Sequence, residues 1–328
     1  MTVQIGIDVS KHKLDVCWLR DPQALKVKTR VFKNDRPAFK ELLQWLQKQT
    51  GQSPESIEVM MEATGVYHEA LAYALYNAGV QVYVANPHRV HEFGKSLGTR
   101  SKTDKRDSIV LARFLGTRAH QRWQPEPEEV RQLRALLARL QALDTDIQRE
   151  RNRQEKAEIQ NASNTVKESI RTVTEALETE RRRLQQQVDD HFDDHPGLKK
   201  DRELLQTIPG IGKVLSSELT ATLRSREFGH ASEPAAFIGL VPVMAISGSS
   251  VRKRPVMSKA GSGRLRAKLY LGAVVAIQHN ALIKAHYERL VSRGKAKMSA
   301  LGAAMRKLVQ MAYGVLKHQQ GYDPQWAG

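Results

Sequence analysis

From Glu128 to His195 the chain runs for 68 residues without a glycine or a proline. A structureless stretch of that length is foreign to a folded protein, and the residues that usually punctuate one are missing, so the segment is expected to be helical. Its apolar residues agree. Val130, Leu133, Leu137, Leu140 and Ile147 step by threes and fours, as do Val166, Ile170, Val173, Leu177, Leu184 and Val188. That spacing keeps one stripe of a helix apolar and is the pattern of a coiled-coil seam. A single straight helix would span on the order of 100 Å at 1.5 Å per residue. The polar stretch QNASNT between the halves is either the turn of a helical hairpin or a weak point in one long helix. A solvated spacer has no use for an apolar stripe, so the segment is expected to pair with itself or with a second copy of the chain.

This helical segment divides the chain into three expected domains, 1–120, 121–195 and 196–328. The first alternates strand and helix patterns. VQIGIDVS, LDVCWLR and KVKTRVFK read as strands. A helix with the stripe Phe39, Leu42, Leu43 and Leu46 follows Asn34-Asp35. IEVMMEA is a fourth strand, HEALAYALYNAG a helix ending at Gly79, VQVYVAN a fifth strand and DSIVLARFLG a further helix. Strands in hairpin order, then strand–helix–strand, predict a mixed α/β sheet with helices on its faces.

Composition narrows the function. Lys plus Arg number 52 against 35 Asp plus Glu, a formal charge of +17. Such an excess opposes compaction unless a polyanion neutralises it, which points to nucleic acid. No apolar run reaches the ~20 residues of a membrane-spanning helix, so no membrane partner is expected. The opening MTVQIGIDVSKHKLDV lacks the basic-then-apolar pattern of a secretory signal. The lone cysteine, Cys17, has no partner for an internal disulfide, and no cysteine cluster is available for zinc; a packing thiol in a reducing cytoplasm is expected.

Two features of 196–328 suit phosphate binding. LLQTIPGIGKVLSSEL sets Pro209-Gly210-Ile211-Gly212 between two helical patterns, the shape of a helix-hairpin-helix. Gly210 and Gly212 would let backbone N–H groups approach a phosphate, with Lys213 adding charge; a helix end followed by a new helix is the plainer alternative. From Pro234 to Tyr287 there is no Asp or Glu and there are eight Lys or Arg, seven of them in RKRPVMSKAGSGRLRAK: Arg252, Lys253, Arg254, Lys259, Arg264, Arg266 and Lys268. A solvated face normally mixes signs, whereas an acid-free, Gly- and Ser-rich basic segment suits a phosphate backbone.

Four carboxylates in the first domain suggest chemistry. Asp8 ends the first strand and Glu62 the fourth. Asp104 and Asp107, in SKTDKRDS, share one face of a helix by their spacing. Each alone has a dull reading as a cap or a surface residue. Together, converging carboxylates repel unless a cation lies between them, and hard oxygen donors favour Mg2+ or Mn2+. Arg100, Lys102, Lys105 and Arg106 flank the helical pair. Metal ligands beside phosphate-binding cations are the layout of a nuclease-type site.

IGIDVSK, MMEATGVYH, ANPHRVHEFGKSLGTRSKTDKRDS and, downstream, FIGLVPVMAISGSS with MSKAGSGRLRAKLYLGA resemble the motifs of the DEDD-type insertion-sequence transposases. That family includes the bridge-RNA-guided recombinases and is related to the pilin-gene-inverting invertases. The resemblance implies a resolvase-like (ribonuclease H-like) α/β N-terminal domain, a helical coiled-coil middle and a mainly α C-terminal transposase domain with the helix-hairpin-helix. It puts the acidic tetrad on Asp8, Glu62, Asp104 and Asp107. It puts a nucleophilic serine on Ser247, in the Ser247-Gly248 pair after Gly239-Leu240-Val241-Pro242, with Ser249 and Ser250 as neighbouring alternatives. It further implies cutting and rejoining of donor and target DNA through a phosphoserine, guidance by a structured non-coding RNA, a dimer or tetramer, and a prokaryotic, nucleoid-associated setting. No histidine lies near Ser247 in sequence, so the metal-bound acids are the natural activator of its hydroxyl. The rival reading is a metal-dependent junction endonuclease that hydrolyses DNA with water.

Overall fold

The computed structural model describes residues 3–63, 65–98, 104–117, 120–243, 246–247, 251–252 and 256–325, with the side chains of 104–105, 246–247 and 251–252 outside that description. Arg100, Lys102, Ser249, Ser250, Lys253 and Arg254 also lie outside the described residues. The chain forms two units, Met1–Pro125 and Glu126–Gly328.

The first unit is a five-stranded mixed sheet. Its strands are β1 (Val3–Val9), β2 (Lys13–Asp21), β3 (Lys26–Lys33), β4 (Ile57–Glu62) and β5 (Gln81–Ala85), in the order β3-β2-β1-β4-β5. β1, β2 and β3 pair antiparallel; β1, β4 and β5 pair parallel. Strand alternation splits the side chains between two faces. On one face Ile5, Ile7, Leu14, Val16, Ile57, Val59 and Met61 are buried under α1 (Arg36–Thr50) and α2 (Glu69–Asn77), through Phe39, Leu42, Leu46, Leu71 and Leu75. Asp35 starts α1 by accepting from the Ala38 N–H at 3.0 Å, and Gly51 ends it at φ 66°.

The other face carries α3 (Pro87–Ser96) and α4 (Asp104–Leu115). Met60, Tyr83 and Ala85 meet Val90, Val110, Leu111 and Phe114 there, and Cys17 and Leu19 meet Ala112. Cys17 is fully buried. No element is read from the sequence between VQVYVAN and DSIVLARFLG, where α3 lies: Pro87 occupies its first turn, and the Asn86 side chain caps it by accepting from the His88 N–H at 2.9 Å.

The second unit is helical apart from one small hairpin. Helix α5 (Glu128–Ile159) and helix α6 (Asn164–Asp194) form a hairpin through a turn at 160–163, where Asn161 adopts φ 50° and Ser163 caps α6. Of the two outcomes left open for QNASNT, the turn is the one the chain adopts. Val130, Leu133, Leu140, Leu143, Leu184, Val188 and Phe192 fill the hairpin's base together with Leu198 of α7 (Pro196–Gln206) and Ala221 of α8 (Lys213–Arg224). Toward the turn the stripe emerges: Ile159, Val166 and Val173 are exposed. Beyond α8 come α9 (Ser232–Ile238), then β6 (Pro242–Val243), β7 (Ile246–Ser247), β8 (Val251–Arg252) and β9 (Val256–Met257). Helices α10 (Gly263–His279), α11 (Ala281–Ser292) and α12 (Lys297–His318) complete a core built on Leu219, Leu269, Ala273, Ile283, Leu308 and Ala312. No helix among the described residues is long and apolar enough to cross a membrane.

Candidate active site

Asp8 and Glu62 end neighbouring strands side by side. The parallel register sets Ile7 against Met61, so the next residue on each strand, Asp8 on β1 and Glu62 on β4, falls in one row. Both share the parity of Gly6 and Met60 and so stand on the α3/α4 face, half-buried. The row continues on the other side of β1, because Asp8 lies opposite Asp15 of β2.

Helix α4 reaches that row by lying along β1. A Cβ on Gly116 would sit 2.8 Å from the Gln4 Oε1, and a Cβ on Gly6 would sit 2.0 Å from the Ser108 carbonyl oxygen and 2.4 Å from the Ala112 nitrogen. The helix backbone therefore rests directly on the strand where Gly6 has no side chain. Following the contacts from Gln4 to Gly6 to Asp8 leads back along α4 toward its start, the turn that holds Asp104 and Asp107. Asp107 is half-buried; the Asp104 side chain lies outside the described residues. Arg106 is exposed on the same turn, and the Lys105 side chain is outside the description.

The loops at this edge are tied to one another. Ser10 closes the β1–β2 turn, its Oγ donating to the Lys13 carbonyl and accepting from the Lys13 N–H. The Asn34 amide donates to the carbonyls of Ser10 at 2.8 Å and Tyr67 at 3.1 Å, joining that turn to the segment after Glu62. His68, at the start of α2, is buried, and its Nδ1 has no hydrogen-bond partner among the described residues. Burial pushes its pKa down, outweighing the Glu69 carboxylate, so the ring is held neutral.

Among the described residues no three His, Cys, Asp or Glu side chains are grouped to hold a metal ion. The donor set on the row, carboxylates on adjacent strand ends, is the hard oxygen chemistry that suits a small divalent cation. Asp15 escaped the sequence reading. It lies in LDVCWLR, read only as a strand, and the register is what sets it opposite Asp8.

Ser247 lies on a nested hairpin in which β6 pairs with β9 and β7 with β8, setting Ser247 opposite Val251. The base of this hairpin is clamped by close backbone contact. Gly239, at φ 84°, leaves no room for a Cβ, which would sit 2.6 Å from the Ala260 nitrogen; a Cβ on Gly261 would sit 2.2 Å from the Phe237 carbonyl oxygen. Arg266 fastens both strands of the clamp, its Nη1 donating to the carbonyls of Ile238 at 3.0 Å and Gly261 at 2.7 Å.

The other basic residues divide by partner. Lys259, at φ 56°, and Arg264 are exposed, whereas Lys268 is bonded to Glu218. The Arg252 side chain lies outside the described residues. Gly210, at φ 103°, packs on α10, where a Cβ would sit 2.6 Å from the Gly272 carbonyl oxygen. Gly212 is the exposed residue that opens α8, and Lys213 pairs with Asp189 at 2.8 Å, which also takes Arg202 at 3.1 Å.

Comparison with known proteins adds a family. Residues 5–157 match the model of the IS110 DEDD transposases, described as transposase, and residues 202–288 match that of the transposase IS116/IS110/IS902 family. The chain is 32% identical to the pilin gene-inverting protein of Moraxella bovis over 321 residues, 97% of each chain. It is 31% identical to that of Moraxella lacunata over the same share. The chain belongs to the IS116/IS110/IS902 transposase family. It is a transposase of the insertion-sequence type, an enzyme of DNA recombination. Among solved structures, Thermus thermophilus RuvC is 17% identical, with 37% of this transposase and 100% of RuvC covered at a TM-score of 0.27.

Proposed function

We propose that this transposase cuts and rejoins DNA through a phosphoserine on Ser247, at a site completed by the carboxylates of Asp8, Glu62, Asp104 and Asp107. The observation that carries the reading is the shared row of Asp8 and Glu62 on one sheet face, with α4 aligned toward it. In this reading the first unit is a resolvase-like (ribonuclease H-like) nuclease domain. The chain then divides by task into 1–120 for the acids, 121–195 for assembly and 196–328 for the serine and DNA backbone.

The chemistry balances without external energy. The Ser247 oxygen attacks a phosphodiester phosphorus and its proton passes to a carboxylate. A P–O bond to serine forms as the bond to the 3′ oxygen breaks, and the protonated carboxyl passes that proton to the leaving oxygen, giving a 3′ hydroxyl. A 3′ hydroxyl on a new strand then reverses the step. Mg2+ or Mn2+ held by the acids would neutralise charge at the phosphorus centre. Backbone contacts are assigned to Arg100, Lys102, Lys105, Arg106, Arg252, Lys253, Arg254, Lys259 and Arg264, and sequence choice to a structured non-coding RNA encoded by the element. The α5–α6 hairpin is the proposed coiled-coil seam of a dimer or tetramer, its exposed Val166 and Val173 favouring a second copy. In that assembly the acids of one subunit serve the serine of another.

Asp8→Asn and Glu62→Gln test the reading. Strand exchange is expected to vanish while DNA binding persists; retained exchange in both variants overturns it. The hydrolytic reading predicts instead that Ser247→Ala cleaves DNA normally.

A further inference from the structure

The acid row ends on β2, where Asp15 lies opposite Val31 of β3. Lys13 shares the face of Asp15 and Asp8, two residues along β2, and lies directly opposite Lys33 of β3. Paired residues of an antiparallel ladder project from the same face. Two lysines are thus set against each other at the sheet's active edge, an arrangement that costs stability when both are charged. Lys33 is exposed; the Lys13 side chain is 46% exposed.

Asp15 makes this arrangement specific. It is only 8% exposed, and its carboxylate holds the Lys13 ammonium at 3.2 Å. Asp15 therefore orients Lys13 while offsetting one of two positive charges. The turn beneath is fixed by Ser10 and by the Asn34 N–H, which donates to the His12 carbonyl at 3.0 Å. On β1, β2, β4 and β5, Lys13 is the one cation placed on this face, while Asp15, Asp8 and Glu62 form the row. A DNA strand drawn onto three carboxylates needs positive charge at the edge of the row, and the exposed Lys33, set against Lys13, supplies it there.

We propose that Lys13, oriented by Asp15, and Lys33 form a phosphate-binding site for the DNA strand being cut, next to the scissile phosphodiester. The ligand is a backbone phosphate, bound by charge and N–H donation without reading the base. The proposal rests on the acid row being the cutting site, and its test is made independent of cutting.

The measurement is binding of the full-length protein, in chelator and without divalent metal, to its element-end DNA complex carrying one neutral methylphosphonate at successive positions. Wild-type affinity is expected to fall about tenfold when the phosphate beside the cut is neutralised, the loss of one charge-assisted contact. Lys13→Ala with Lys33→Ala is expected to bind intact DNA more weakly, with a salt slope smaller by up to about two, and to lose the penalty at that one position. Lys13→Arg with Lys33→Arg should restore the penalty, which a merely structural role would not do. Asp15→Asn should blunt it. Asp8→Asn should keep it, so loss of cutting in Asp8→Asn with retained interference separates the two claims. An identical interference pattern in wild type and the double alanine variant, with both folded by thermal melting, overturns the proposal.

Discussion

The acid edge of the sheet and the serine hairpin are built in opposite ways. Asp8 and Glu62 end strands whose other residues, Ile5, Ile7, Val59 and Met61, are fully buried, and a helix backbone rests on Gly6 just before them. Ser247 sits on a strand two residues long, in a hairpin held at its base by Gly239, Gly261 and Arg266. Position at the first site follows from the core of a whole domain. At the second it follows from one backbone crossing and one guanidinium. The lesson is that damage should spread differently: packing changes beneath the acids disturb the first unit's fold and the chemistry together, while changes at the clamp reach the chemistry without disturbing the first unit.

The largest expected effect is Asp8→Asn, which removes a carboxylate proposed to hold the metal without altering volume. Strand exchange should fall on the order of a thousandfold, read by a recombination assay, with the thermal melt unmoved. Gly6→Ala comes next. Its methyl would have to displace the α4 backbone, so the first unit should lose about 3 kcal/mol in chemical denaturation and activity should fall with it. A stable, inactive Gly6→Ala protein would break the link drawn here between core and acids.

At the clamp, Arg266→Ala strands two carbonyls and should cost about 2 kcal/mol within the second unit. The expected signature is lost strand exchange with the first unit's hydrogen-exchange protection unchanged. Arg252→Ala, Lys253→Ala and Arg254→Ala together should leave stability alone and reduce the slope of log affinity against log salt by up to about three. An unchanged slope would place the three side chains in solvent.

The smallest effect concerns pH. His68 has its pKa lowered in the folded protein by burial, so below the ordinary histidine range, near pH 6.5, the unfolded chain takes up a proton that the folded one resists. Stability should therefore decline as pH falls below that point, by at most about 1.4 kcal/mol per pH unit, and be fully retained above it. His68→Gln should flatten the decline in urea titrations between pH 7.5 and 5.5; an unaltered slope assigns the dependence elsewhere.

Much of this was legible in the sequence because strand alternation and helical stripes are local. The five strands, their mixed sheet and the stripe of α1 follow from residues within a few positions of one another, whereas QNASNT marked the place of the α5–α6 turn without deciding it. The acids at strand ends were legible for the same reason. Asp15 and the Lys13–Lys33 pair were not, because their neighbours across the sheet depend on the tight Ser10 turn and the register it imposes. Arg266 was read as a DNA ligand from its acid-free surroundings, while its two carbonyl partners come from segments brought together only by folding. Gly210 shows the same limit. Its neighbour Gly272 is remote in sequence, so the close helix contact at Gly210 could not be read beside the phosphate role its loop suggests.

The proposed chemistry stands or falls on a covalent link between Ser247 and DNA that the acids make possible. Its most direct measurement is mass spectrometry of protease-digested protein–DNA adducts, trapped with divalent metal on a substrate that cannot be rejoined. A nucleotide-bearing peptide with the modification on Ser247, present in wild type and absent in Asp8→Asn, is the predicted result. Cleaved DNA with no such peptide, or an adduct on Ser249 or Ser250, would contradict it.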